Sequence, residues 1–273
     1  MLKMNARLDI ERLLLIGCGK MGRAMLDGWL ATGVLDPAQV TVVEPSSTIR
    51  NTLADIGVRT DAELPRGTAP DIAVFAVKPN LVVDQAQLLS EALSGRLAIS
   101  IAAGIGLEHL ETAAPDAQWV RAMPNQPAVV GEAATGLCAG KNLSSDGRAL
   151  ASALFDALGI AVWIEDEPLM HAVTGLSGSG PAFVALVAEA MEDAGVRCGL
   201  PRSTARQLAL QTLRGSASQM QQSGDTPAAL KDAVTSPGGT TIAGIEAAES
   251  AGLRAALMQA IQAATHRSRE LDQ

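Results

Sequence analysis

The 273-residue chain predicts an α/β domain over residues 1–165 followed by an all-helical domain over residues 166–273. Three observations carry that division. Short apolar runs alternate with helical stretches as far as Ile164, the pattern of a parallel sheet covered on both faces. The charged segment Glu165-Asp166-Glu167-Pro168 then breaks the chain, and beyond it only helical periodicity survives. The sequence is 48% hydrophobic but 2% aromatic, so both cores must be built from Ala, Leu, Val and Ile.

Leu13-Leu14-Leu15-Ile16 is a continuous apolar run, as in a buried parallel strand, and it leads directly into Gly17-Cys18-Gly19-Lys20-Met21-Gly22. In this G-x-G-x-x-G the first glycine makes the tight turn. The second lets backbone approach a pyrophosphate, and the third lets the following helix, Met21 to about Thr32, pack on the strand. A second strand, Val40 to Val43, ends in Glu44, completing the mononucleotide-binding half of a Rossmann domain. After Gly57-Val58-Arg59, further strands are predicted at Asp71–Val77, Leu97–Ile101, Gln118–Met123, Thr135–Ala139 and Ile160–Ile164, for a sheet of six to eight. Lys78-Pro79-Asn80, Ala102-Ala103-Gly104 and Met123-Pro124-Asn125 follow three of these strands. In an open α/β sheet, ligands lie beyond the carboxyl ends of the strands, so these segments should line the cofactor groove.

In the second half, Ser177-Gly178-Ser179-Gly180-Pro181 opens a helix over Ala182–Gly195, with proline where a missing N–H costs nothing. Arg202–Gln222 places Leu210, Leu213, Ala217 and Met220 on one stripe. Pro227–Val234 is a short helix, and Leu253, Leu257 and Ile261 mark a last long one. Helices this rich in alanine bury little area each, so the bundle should complete its core against a second subunit. Between the last two lies Val234-Thr235-Ser236-Pro237-Gly238-Gly239-Thr240-Thr241. Its glycines can turn successive N–H groups into one anion-binding concavity, while Ser236, Thr240 and Thr241 supply hydroxyls. A carboxylate is the natural guest.

A formal charge of −8 argues against nucleic acid or an anionic membrane as partner. There is no run of 18 apolar residues, and Met1 to Arg12 lacks a signal-peptide core, so a soluble, cytoplasmic chain is expected. Cys18, Cys138 and Cys198 are far apart, which suits a reducing compartment. His109, His171 and His266 lack ligand spacing, so no metal is expected and each histidine reads as a surface or cap residue. His171 alone, ahead of the Thr174–Pro181 turn, stays a remote catalytic candidate. The sequence contains no tyrosine, and of its few lysines only Lys20 and Lys78 fall near the predicted groove. Hydride transfer is therefore expected to a substrate needing little proton donation. A cyclic imine, which can arrive protonated on nitrogen, fits.

Leu230–Gly244, containing Thr235-Ser236-Pro237-Gly238-Gly239-Thr240-Thr241, closely resembles the signature of the pyrroline-5-carboxylate reductase family. Ala76-Val77-Lys78-Pro79, Ser100–Gly104, Arg121–Asn125, Ser177–Ala182, Gln211-Thr212 and Ala263–Ser268 resemble the same family's motifs in the same order. The resemblance implies reduction of 1-pyrroline-5-carboxylate to L-proline, the last step of proline biosynthesis, with NADPH or NADH. It implies that Thr241 hydrogen-bonds the ring nitrogen, and that Ser236 and the N–H groups of Gly238, Gly239 and Thr240 hold the carboxylate. Gly17, Gly19, Lys20, Met21 and Gly22 would cradle the pyrophosphate, and Val77, Lys78, Pro79, Ala102 and Asn125 would surround the nicotinamide and its ribose. It further implies a homodimer through interlocked helical domains with a shared active site, and five such dimers in a ring.

Two positions fit that family less well. Glu44 suits the free ribose hydroxyl of NADH, yet Ser46, Ser47 and Arg50 follow within reach of a phosphate, so both cofactors stay open. Gln126 stands where the family commonly has threonine. Two other classes share the layout. A β-hydroxyacid dehydrogenase needs a lysine where this chain has Val184, and a dinucleotide sensor would have no use for Ser236, Gly238, Gly239 and Thr241.

Overall fold

The computed structural model describes residues 7–64 and 69–272. The signal-peptide expectation for the first twelve residues falls in part on residues 1–6, which lie outside the described residues. In the first half of the chain the elements are β1 (Leu13–Ile16), α1 (Lys20–Thr32), β2 (Val40–Val43), α2 (Ser47–Ala54), β3 (Arg59–Asp61), β4 (Ile72–Phe75), α3 (Pro79–Leu88), β5 (Leu97–Ser100) and α4 (Leu107–Ala113). Then follow β6 (Gln118–Met123), β7 (Ala133–Ala139), α5 (Ser145–Asp156), β8 (Gly159–Trp163), α6 (Met170–Val173) and a π-turn at Thr174–Gly178. The helices α7 (Gly180–Arg197), α8 (Arg202–Ser223), α9 (Pro227–Ala233), α10 (Thr240–Ser250) and α11 (Leu253–Leu271) complete the chain.

The eight strands form one sheet in the order β3-β2-β1-β4-β5-β6-β7-β8. Strands β1, β2, β4 and β5 are buried at every residue, as expected of parallel strands covered on both faces. Alternation divides the core into two layers. Leu13 and Leu15 point into one layer with Trp29, Val42, Ile99 and Phe155. Leu14 and Ile16 point into the other with Phe75, Ala98 and Trp119. All three tryptophans belong to the sheet unit. Trp29 Nε1 donates to Leu154 O at 2.8 Å, Trp119 Nε1 to Ala114 O at 3.0 Å and Trp163 Nε1 to Ser152 Oγ at 2.9 Å.

The structure differs from the expected all-parallel sheet at one end. β7 runs antiparallel to β6, and β8 runs parallel to β7. Strand direction leaves no trace in hydrophobic periodicity, because either direction presents the same alternation. The edge strand β3, Arg-Thr-Asp, carries no apolar pattern of its own.

Two compact units result: residues up to Ser179 together with Ala263 onward, and Gly180–Gln262. This division falls later than the predicted boundary at 165/166, because residues 167–178 pack on the sheet unit. Met170 enters its second core layer, and Val173 fills the space that a side chain at Gly136 would need. The helix α11 belongs to both units.

The helical unit buries very little within one chain. Ala205, Ala209 and Glu192 are its buried residues in α7 and α8, and α9 and α10 bury none. Gly195 lets α7 and α8 approach, since a Cβ there would stand 2.9 Å from that of Ala205. Hydrogen bonds from Arg206 and Arg202 hold the Glu192 carboxyl below the usual carboxylate range. Val184, Leu186, Leu208, Leu210, Ile242 and Met258 are exposed. The continuous helical stretch Glu167–Arg197 is long and apolar enough, by length and composition, to cross a membrane, although no run of 18 apolar residues is present. A face that covers a partner subunit has the same composition.

Replacing Trp29, fully buried in the sheet unit, with alanine should cost about 3–5 kcal/mol. Urea unfolding at fixed protein concentration, followed by circular dichroism, checks this.

Candidate active site

Parallel register sets the predicted cofactor groove. Ile16 pairs with Phe75, Phe75 with Ser100, and Ser100 with Arg121, so the segments after β1, β4 and β5 leave the sheet side by side while β6 runs on to Met123. Gly17 is the first residue past β1 and has φ 89°. A Cβ on it would lie 2.7 Å from Val77 Cγ1 and 2.8 Å from Ala76 O, and one on Gly22 would lie 2.6 Å from Gly17 O. Nothing stands within 4 Å of Gly19, whose open side leaves room for a ligand. No side chain caps the start of α1, so its first-turn amides are oriented toward whatever anion occupies that space. Lys20 is exposed and Met21 half-buried beside them.

Around this loop the structure brings together several of the sequence-predicted residues. Val77 packs against Gly17, the exposed Lys78 and Pro79 open α3, and the Ala102 N–H donates to Ser100 Oγ at 3.3 Å. Glu44 is drawn onto the glycine loop. Its carboxylate accepts the Cys18 N–H and the Ser46 N–H, each at 3.0 Å. Ser46 Oγ caps α2, and Arg50 Nη1 donates to Glu44 O at 2.6 Å and Pro45 O at 2.7 Å. Burial pushes the Cys18 thiol up to about 11, so it stays protonated in neutral solution. Asn125 is buried and both ends of its carboxamide are committed. Nδ2 donates to Ser177 O at 2.9 Å, and Oδ1 accepts the Ala134 N–H at 2.9 Å. Its side chain therefore holds the π-turn against β7 and contributes to the groove through position.

The helical unit holds the residues predicted to receive the substrate. The hydroxyl-rich segment runs into the N-terminus of α10, an 11-residue helix the sequence had not predicted. Gly238 takes φ 67°, and the Gly239 N–H donates to Ser236 O at 3.1 Å. A side chain at Gly239 would collide with Ser236 Oγ. No side chain caps α10, and among the described residues no hydrogen bond engages the hydroxyls of Ser236, Thr240 or Thr241. An uncapped helix start and three free hydroxyls in one turn have the chemistry to accept a small carboxylate with a neighbouring polar atom.

His171 corrects the expectation of a surface or cap residue. It is buried, with Nδ1 at 3.0 Å from Ser268 Oγ and Nε2 at 3.2 Å from Asp272 Oδ2. His109 and His266 are exposed. The sequence reading also missed Arg121, buried mid-strand in β6 and paired with Glu167. A lone charge in an apolar strand was the signal, since it demands a partner.

Gly17→Ala forces a side chain into a left-handed backbone and against Ala76, a strain of about 1–3 kcal/mol. Dinucleotide affinity in a fluorescence titration should fall roughly 5- to 150-fold.

Comparison with known proteins agrees with this geometry. Residues 167–271 match the family model described as pyrroline-5-carboxylate reductase dimerisation, and residues 12–104 match NADP oxidoreductase coenzyme F420-dependent. The pyrroline-5-carboxylate reductase of Arabidopsis thaliana is 42% identical over 263 residues, covering 94% of each chain. Among solved structures, the pyrroline-5-carboxylate reductase of Coxiella burnetii superposes with a TM-score of 0.91 at 34% identity, covering 97% of this chain and all of that one. The Plasmodium falciparum pyrroline carboxylate reductase with NADP bound gives 0.85 at 32% identity, covering 98% of this chain and 100% of its own. With a relative this similar along nearly the whole of both chains, the protein belongs to the pyrroline-5-carboxylate reductase family.

Proposed function

We propose that this chain reduces the C=N bond of 1-pyrroline-5-carboxylate with hydride from NAD(P)H, giving L-proline and oxidised cofactor, with the residue roles set out below. Membership of the family makes it an NAD(P)H-dependent oxidoreductase. The observation that carries the assignment of roles is the set of unpaired hydroxyls of Ser236, Thr240 and Thr241 at the uncapped start of α10, in a chain whose other unit presents a glycine loop of the dinucleotide-binding type.

Ser236 and the N–H groups of Gly238, Gly239 and Thr240 take the substrate carboxylate, and Thr241 Oγ1 orients the ring nitrogen. Hydride adds to the imine carbon, and the C=N electron pair moves to nitrogen. When nitrogen arrives protonated the product is the secondary ammonium, and no protein acid is consumed. Catalysis then rests on positioning and electrostatics. Gly17, Gly19, Lys20, Met21 and Gly22 receive the pyrophosphate. Val77, Lys78, Pro79, Ala102 and Asn125 shape the nicotinamide end, and Glu44 and Ser46 the adenosine ribose. Val184, exposed and apolar on α7, offers no acid for the hydroxyacid alternative.

The helical region forms the dimer. In the proposed assembly the Ser236–Thr241 turn of one protomer serves the cofactor of its partner, five dimers form a ring, and the enzyme works in the cytoplasm. The division 1–165 for cofactor and 166–273 for substrate and dimerisation is kept as a functional one.

The deciding assay mixes purified protein, the five-membered imino acid and NADH or NADPH, and follows loss of reduced-cofactor absorbance; no loss with either cofactor overturns the reading. Thr241→Val should lower kcat/KM by roughly 10- to 1000-fold, or about 1.4–4 kcal/mol of transition-state binding, with cofactor affinity nearly unchanged. Normal turnover by this variant beside an inactive Ser236→Ala would reassign the roles. Glu44→Ser should raise NADPH use relative to NADH in the same assay, and an unaltered ratio would separate Glu44 from the ribose.

A further inference from the structure

A buried polar cluster lies where the end of α11 returns to the sheet unit, and none of the roles above uses it. Arg121 on β6 is only 4% exposed. Its Nη1 lies 2.9 Å from Glu167 Oε1 and 3.5 Å from Asp272 Oδ2. Asp272 Oδ2 also meets His171 Nε2, and His171 Nδ1 meets Ser268 Oγ, so three side chains near the C-terminus and in α6 close on one arginine. Asp272 Oδ1 is buried without a hydrogen-bond partner.

The cluster touches the loop that follows β5 in two places. Glu167 Oε1, besides holding Arg121, accepts the Leu107 N–H at 2.8 Å, where the loop enters α4. A Cβ on Gly104, which has φ 78°, would stand 2.9 Å from Leu271 O, so the last turn of α11 sits directly on the loop backbone. Buried ionic groups are poor contributors to net stability, because desolvation offsets their attraction, but they hold a defined geometry. The geometry held here is that of Ala102–Gly106.

We propose that Ser268, His171 and Asp272 are positioning residues for the cofactor loop, acting through Arg121 and Glu167 and through the seat of Leu271 on Gly104. Resting on the assignment of Ala102 to the nicotinamide side, this makes the end of the dimerisation helix a determinant of how the reduced ring is held. The adenosine end, at Glu44 and Ser46, lies on other strands and is untouched.

The test uses the full-length chain and the variants Asp272→Asn and Ser268→Ala, the second a small change that covers any failure of the first to fold. Affinity is titrated for NADPH and, separately, for adenosine 2′,5′-bisphosphate, which lacks the nicotinamide half; thermal midpoints are recorded in parallel. The variants should bind NADPH about 2- to 30-fold more weakly, the range for mutations that shift coupling without touching ligand. Bisphosphate affinity should stay at the wild-type value. Equal weakening of both ligands, or a lower midpoint with both affinities intact, overturns the proposal. Because the titrations need no turnover, they stand apart from the imine-reduction assay, whose failure would show in the wild type alone.

Discussion

Everything at the cofactor edge depends on a steric limit: there is no room for a single added carbon at Gly17 or Gly22. Gly17 is pressed against Ala76 and Val77 of the neighbouring strand end, and Gly22 against Gly17 itself. That contact seats α1 on β1 and leaves the side of Gly19 open. The strands β1, β4 and β5 are four residues long and end in register, so their following loops emerge together without long excursions. The groove is therefore a property of strand length and pairing, and the loops inherit their placement from it.

The helical unit obeys a different constraint. Its side chains are small, its apolar residues face outward within one chain, and its free polar groups gather at the start of α10. A bundle that cannot bury its own apolar face has its stability tied to protomer concentration. Unpaired hydroxyls persist there because they are exposed to water, where leaving them unpaired costs little. The sheet unit is rigidly packed, and the helical unit keeps unmet polar capacity.

Much of this is legible in the sequence. β1, β2 and β6 occupy the residues predicted for them, β1 and β2 because buried parallel strands are nearly uninterrupted in hydrophobicity. Glycine spacing located the tight turn between β1 and α1, because Gly17 and Gly22 each answer a separate steric demand. What could not be read has physical causes. Pro237-Gly238-Gly239 announces a break, and the alanine- and glycine-containing segment after it has too little amphipathic contrast to reveal α10. The commitment of Asn125 to Ser177 and of His171 to Ser268 spans 52 and 97 residues, and such pairings leave no local mark. The reversed direction of β7 is equally silent.

The placement of the indoles has an optical consequence. All three tryptophans are packed in the sheet unit, tyrosine is absent from the chain, and Phe183 is the single aromatic ring between Gly180 and Gln262. Ultraviolet emission therefore reports on one unit alone, while far-ultraviolet ellipticity sums the helices of both. Unfolding of the sheet unit can be followed by itself in an unlabelled sample, with no engineered probe.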